Sequence, residues 1–88
     1  MPYRVAPHVH HRSLDGEVII LNGNGNTYLG LNRSGAVIWE TITRGGSVHD
    51  AASALSARFQ IAPDLAAADA SAFVGQLVEA GLLEADDA

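Results

Sequence analysis

Hydrophobic positions along this chain change period once, near residue 32. Before that point they alternate or run in short β-branched blocks, and after it they recur at three- and four-residue spacing. Residues 3–11 alternate loosely, with Val5, Pro7 and Val9 on one side and Arg4, Ala6, His8 and His10 on the other. Pro7 lacks an N–H for a ladder, so this segment predicts an edge strand made irregular at the proline. Glu17-Val18-Ile19-Ile20-Leu21 predicts a second strand, covered on both faces. Asn22-Gly23-Asn24-Gly25-Asn26 follows, and Asn-Gly pairs tolerate the positive φ that a tight hairpin needs. Thr27-Tyr28-Leu29-Gly30-Leu31 is then the returning strand, and the simplest arrangement is an antiparallel meander in chain order.

From Asn32 the pattern is helical. Gly35, Ile38, Trp39 and Ile42 share one face of a first helix, and Gly45-Gly46 ends it. Ser47 with Asp50 three residues on predicts a capping box for a second helix, whose stripe is Val48, Ala51, Ala52, Leu55 and Phe59. Pro63 suits the first turn of a third helix, where its missing N–H would be unpaired anyway. Its inner stripe is Ala66, Ala70, Phe73, Leu77 and Ala80. Gly81 predicts a left-handed C-cap, with Leu82-Leu83 folding back over the end and a polar, frayed tail after them. The pattern predicts an α+β chain, sheet first and helices after, and residues 1–88 read as a single domain.

Composition narrows the function. The 88 residues include no cysteine and no lysine. Disulfide scaffolds, thiolate zinc sites and cysteine nucleophiles are excluded together. No apolar run reaches the length of a membrane span, and the N-terminus lacks the regions of a signal peptide, so a cytoplasmic address is expected. Fifteen apolar residues are alanine, which adds helix propensity more than core volume. All five arginines (Arg4, Arg12, Arg33, Arg44, Arg58) precede residue 59. The remainder carries Asp64, Asp69, Glu79, Glu84, Asp86 and Asp87 and no base. Such a segment repels a phosphate backbone, which argues against nucleic acid as a partner.

Each chemical motif has a plainer explanation. Gly23 and Gly25 begin a Gly-x-Gly-x-x-Gly, but position 28 is Tyr28 and a strand follows, so the dinucleotide reading fails. His8, His10 and His11 lack a carboxylate or thiolate at matching spacing and read as exposed histidines, not a metal site. No serine stands in a Gly-x-Ser-x-Gly elbow, and Ser47 with His49 is explained by a helix start. Neither an enzyme nor a cofactor is expected. Trp39 reads as a core anchor, whereas Tyr28 faces opposite to Leu29 and Leu31 and could cap the core or line a groove. The third strand carries no charge across residues 26–32, and Gly30 permits close backbone approach. Either a helix of the fold covers this edge or a partner strand does.

Tyr28-Leu29-Gly30-Leu31-Asn32-Arg33-Ser34-Gly35-Ala36-Val37-Ile38-Trp39-Glu40 resembles the signature of the PqqD-like family. Gly45-Gly46, Ala52 to Phe59, Asp69-Ala70, Phe73-Val74, Leu77 and Gly81-Leu82-Leu83 continue it, so the resemblance spans Val18 to Leu83. Two positions depart from it: Ala70 replaces a larger aliphatic residue, and Gly75 interrupts the third helix. The resemblance implies a winged helix-turn-helix-like fold, three antiparallel strands followed by three helices. It also implies a leader-peptide recognition element, most like the free-standing version of lasso-peptide pathways. The leader of a precursor peptide would add as a strand beside Thr27, Tyr28, Leu29, Gly30 and Leu31. It would rest against Asp69, Ala72, Phe73 and Gln76 of the third helix, and be handed to a leader peptidase and a macrolactam-forming synthetase. A winged-helix DNA-binding protein and a dimerisation module pairing its third strand with a second copy are the alternatives.

Overall fold

The computed structural model describes residues 3–23 and 27–85. Its elements are β1 (Tyr3–Val5), β2 (Val9–Leu14), β3 (Glu17–Asn22), β4 (Thr27–Leu31), α1 (Arg33–Thr43), α2 (Val48–Phe59), α3 (Pro63–Glu79) and β5 (Leu83–Ala85). Strands β2, β3 and β4 form an antiparallel meander, and β1 pairs separately with β5. This is the α+β arrangement expected, a three-stranded antiparallel sheet followed by three helices in a winged helix-turn-helix-like order.

The first predicted strand is in fact two. Ala6-Pro7-His8 interrupts it, and the chain bends so that Val9 N–H donates to the Ala6 carbonyl. Strand β2 then runs on to Leu14, turning into β3 through Asp15 and Gly16, both at positive φ. Asp-Gly is a recognised hairpin signal, and it sets the register Leu14 opposite Glu17 through Val9 opposite Asn22. The tip of the β3–β4 hairpin, residues 24–26, lies outside the described residues, although Gly23 at its start donates to the His8 carbonyl.

Helix starts follow the sequence closely. The Asn32 side chain accepts from Gly35 N–H at 2.9 Å and starts α1. Ser47 and Asp50 exchange both capping-box bonds at the start of α2. Pro63 opens α3, and the chain after Ala80 turns through Gly81 at φ 78°. That turn aims Leu82 and Leu83 back into the core, where both are buried.

Buried side chains from both halves form a hydrophobic cluster that includes Val18, Ile20, Leu31, Trp39, Ile42, Leu55, Val74 and Leu83. Trp39 is its largest member and fully buried. Truncating so large a buried ring to alanine costs about 3–5 kcal/mol. Its indole Nε1–H donates to His11 Nδ1 at 3.1 Å, tying β2 to α1. His11 therefore has a structural task that its exposed, polar setting in the sequence does not announce.

Three packing expectations are corrected. Strand β3 is covered on one face only: Val18 and Ile20 are buried, whereas Ile19 on the other face is 42% exposed. Helix α1 packs against β3 and β4 on the buried face, and among the described residues no element covers the opposite one. On α3, Val74 fills the inner position given to Phe73, which sits half-buried at the margin, and Ala80 is exposed. Phe59 at the end of α2 is likewise partly exposed. Glu84 and Ala85, expected in a frayed tail, instead belong to β5, which pairs with β1, and Arg4 Nε donates to Glu84 Oε1 at 3.0 Å. This pairing joins two three-residue segments almost a full chain length apart, too short for a periodic signal. Residues 86–88 lie outside the described residues.

Candidate functional site

Strand β4 hydrogen-bonds to β3 along one side, in the register Val18 opposite Leu31 through Asn22 opposite Thr27. Among the described residues no strand pairs with its other side. The sequence left two ways to cover this edge, and the helices do not take it. Of the helices, α1 makes the main packing against this sheet, and Leu29 remains 42% exposed beside buried Leu31.

A groove of about 380 Å³ runs between this edge and α3. Leu29, Gly30 and Leu31 form one wall, and Phe73, Gln76, Leu77 and Ala80 the other. Leu82, delivered by the Gly81 turn, closes one end. Beyond Phe73 the groove opens into a hollow of about 360 Å³ between the α1 N-terminus, α2 and α3. Asn32, Gly35, Phe73 and Gln76 border both. Phe73 is thus the aromatic side chain that the two spaces share.

Gly35 is what lets Phe73 sit there. A Cβ at position 35 would stand 3.3 Å from the Phe73 ring tip and 3.4 Å from Asn32 Oδ1 and from Leu31 Cβ. A side chain there requires the Phe73 ring to shift by a few tenths of an ångström. The small residues at the start of α1 therefore shape the groove as well as starting the helix. Most of the lining is apolar, and Asn32, Ser34, Asp69 and Gln76 are the polar groups among it. Such a lining suits an extended chain with apolar side chains, whose backbone can use the open side of β4.

Leu29, Gly30, Leu31, Phe73 and Gln76 come together in the groove, and Asp69 and Ala72 join Phe73 and Gln76 in the adjoining hollow. Thr27 lies on β4 but outside the lining. Tyr28 points to the opposite face, 76% exposed, so it neither caps the core nor lines this groove. Sequence reasoning missed Asn32, Gly35, Leu77, Ala80 and Leu82. Leu77 reads as core because its helical stripe is shared, and Leu82 depends on the turn that precedes it. Gly35 carried a signal: a glycine inside a helix, on its apolar face, implies close approach by a neighbour.

Among the described residues no three His, Asp or Glu side chains converge where a metal ion could sit. The α3 surface has Asp64, Asp69 and Glu79 and no base, so the helix that would enter a DNA groove in a winged-helix protein is acidic.

The chain is a winged helix-turn-helix-like α+β protein with an open sheet edge facing a helix. Residues 17–83 match the family described as coenzyme PQQ synthesis protein D (PqqD), and the chain belongs to that family. Two solved structures are similar over nearly their whole length. One is TbiB1 in complex with the TbiA(beta) leader peptide, 25% identical, covering 97% of this chain and 99% of that one, with a TM-score of 0.85. The other is a lasso peptide synthetase B1 complexed with the leader peptide, 26% identical, covering 97% and 100%, with a TM-score of 0.87. No curated protein sequence matches the chain.

Proposed function

We propose that this chain captures the leader segment of a ribosomally made precursor peptide by β-strand addition at β4. It presents the captured leader to the modifying enzymes of a lasso-peptide pathway. The observation that carries the reading is the uncharged outer side of β4 opening into an apolar groove walled by α3. The similarity to two proteins solved with leader peptides supports it. Backbone groups of Thr27 to Leu31 supply sequence-tolerant hydrogen bonds, while the groove around Leu29, Leu31 and Phe73 supplies discrimination. Asp69, Ala72 and Gln76 border the adjoining hollow, and Asp69 favours a basic leader residue at that end.

The role is binding without turnover, carried out by residues 1–88 as one peptide-recognition domain in the cytoplasm. Its partners are the precursor leader, a leader peptidase and a macrolactam-forming synthetase. No helix of the described residues is long and apolar enough to cross a membrane. The acidic surface of α3 weighs against duplex DNA as the ligand.

Backbone amide shifts recorded during titration with a synthetic leader peptide test the proposal. The expected perturbations and protection from exchange cluster at residues 27–31 and on α3 around residues 69–76. Perturbations confined to residues 3–12, or none at saturating peptide, would overturn it.

A further inference from the structure

A separate hollow of about 460 Å³ lies between the β2–β3 turn, α1 and the end of α2. Helix α1 borders it with Arg33, Ala36, Val37 and Glu40, whereas Ser34, Gly35 and Ile38 border the hollow beside the leader groove. By helical spacing these two sets lie on opposite faces of α1. Ala36 and Val37 are buried and form the floor, and Phe59 of α2 stands at its side, 37% exposed. Arg33 and Arg58 are exposed on its rim, and neither forms an ion pair among the described residues. Asp15 and Glu40 border the same space without reaching them, and Glu40 accepts from the Ser13 hydroxyl instead. Two guanidinium groups and an uncovered aromatic ring thus share one cavity.

We propose that this hollow is a second binding site for the precursor peptide, taking a carboxylate flanked by an apolar side chain from outside the segment that pairs with β4. The inference rests on the strand-addition reading above. Strand β4 ends at Leu31 and Arg33 opens α1, so a peptide leaving β4 at that end meets the first turn of α1. A helix with its side chains is about 10 Å across, and an extended chain covers about 3.3 Å per residue. Roughly three to five residues therefore carry the peptide over that turn to Arg33 and Arg58.

Chemistry states what the peptide must present. A guanidinium offers a planar fork of donors that matches a carboxylate. The first turn of α1 holds no acid, so nothing within that turn offsets Arg33 against the helix dipole, and a bound carboxylate would. Phe59 with the Ala36–Val37 floor takes an apolar neighbour. Asp15 and Glu40 set the limit on charge, because they repel a polyphosphate or a nucleic-acid backbone more strongly than a single carboxylate. The groove and this hollow then divide the work: β4 holds the backbone, and the two arginines read charge at a fixed distance from it.

The test uses the full chain and two synthetic peptides from the precursor encoded beside it. The short one is the segment that pairs with β4, and the long one adds about ten residues at each end, enough to cross α1. Fluorescence anisotropy is expected to show the wild-type chain binding the long peptide about tenfold more tightly, with the gap closing as salt rises. Arg33→Glu and Arg58→Ala are expected to remove that gap while affinity for the short peptide stays within twofold of wild type, which also reports that both variants fold. Replacing the acidic residue of the long peptide by lysine is expected to weaken wild-type binding and to restore binding to Arg33→Glu. Equal affinity of wild type for the two peptides overturns the proposal, as does a gap that survives both substitutions. So does a wild-type chain that self-associates at micromolar concentration and loses this with Arg58→Ala, which would give the hollow to the acidic α3 of a second copy. A wild-type chain that binds neither peptide removes the strand-addition reading instead, and the short peptide alone distinguishes that failure.

Discussion

The β2–β3–β4 sheet has two borders, and they are built differently. Strand β2 reads Val-His-His-Arg-Ser-Leu, with an arginine and two histidines along six residues. Strand β4 reads Thr-Tyr-Leu-Gly-Leu, with no charge. Charged side chains on an exposed edge deter pairing with other chains, and their absence leaves an edge available. The two strands also differ in what their inward side chains do. On β2, His11 accepts from the Trp39 indole and Ser13 donates to Glu40 Oε1 at 2.8 Å, so the strand is tied to α1. On β4, Leu31 is buried but Leu29 faces a groove that nothing among the described residues fills. One border serves folding and the other is held open, which is how an edge can bind a strand without aggregating along both sides.

The largest expected effect separates the two borders. Leu29→Asp places a carboxylate in the apolar groove while altering a side chain that is already 42% exposed. Leader affinity is expected to fall about a hundredfold, roughly 2.7 kcal/mol, with little change in thermal midpoint. Titration calorimetry alongside a melting curve checks both halves. Equal losses in affinity and stability would mean that β4 supports the fold as much as β2 does.

His11→Ala makes the converse change. The buried Trp39 N–H loses its acceptor, and an unsatisfied buried donor costs about 1–3 kcal/mol. The exposed position of His11 lets water compensate in part, so a loss of about 1–2 kcal/mol is expected in a urea unfolding series. Leader affinity is expected to be unchanged at concentrations where the variant is folded. A variant as stable as wild type would show that the indole bond contributes nothing.

These two residues also show what could be read from the chain. The Ser47–Asp50 box, Pro63 at a helix start and Gly81 at a helix end are local, and each follows from a few neighbouring side chains. The β4 edge was legible for the same reason, as a run without charge, but whether a helix covered it was not. His11 was not, because its partner lies 28 positions away on another element. The β1–β5 pairing and the Phe73–Gly35 contact failed alike: both depend on where whole elements dock. The exposure of Ile19 is the sharpest case. A β-branched run predicts burial on both faces, and only the placement of every helix after β4 decides that one face stays open.

A smaller effect sharpens the picture of the groove's far wall. Gly75 lies within α3, exposed, where an added Cβ would meet nothing within 4 Å. Glycine inside a helix costs roughly 0.5–1 kcal/mol relative to alanine, so Gly75→Ala is expected to raise the thermal midpoint by about 3–6 °C. Leader affinity is expected to hold or improve slightly, since α3 keeps Phe73 and Gln76 in place. A drop in affinity without a drop in stability would mean that the wall must bend to admit the leader.

The smallest effect concerns α2, which forms neither border and so serves as the reference for both. Asp50 accepts from the Ser47 backbone N–H at 2.9 Å, and Asp50 N–H donates to Ser47 Oγ at 3.0 Å. The backbone bond, then the Ser47 hydroxyl and the nearby His49, hold the Asp50 carboxyl below its ordinary value of 3.8. A carboxyl that binds its proton less readily folded than unfolded contributes stability that is fully present above the unfolded value. That contribution is lost as pH falls below 3.8 and through the lower folded value. Asp50→Asn retains a side-chain acceptor but no longer titrates, so its unfolding midpoint is expected to fall less between about pH 5 and pH 3 than that of wild type. The carboxylates common to both proteins cancel in the comparison. Because the cap lies on neither strand border, leader affinity at neutral pH is expected to be the same for both. Equal acid sensitivity would mean that the box holds the helix start without favouring the ionised carboxylate.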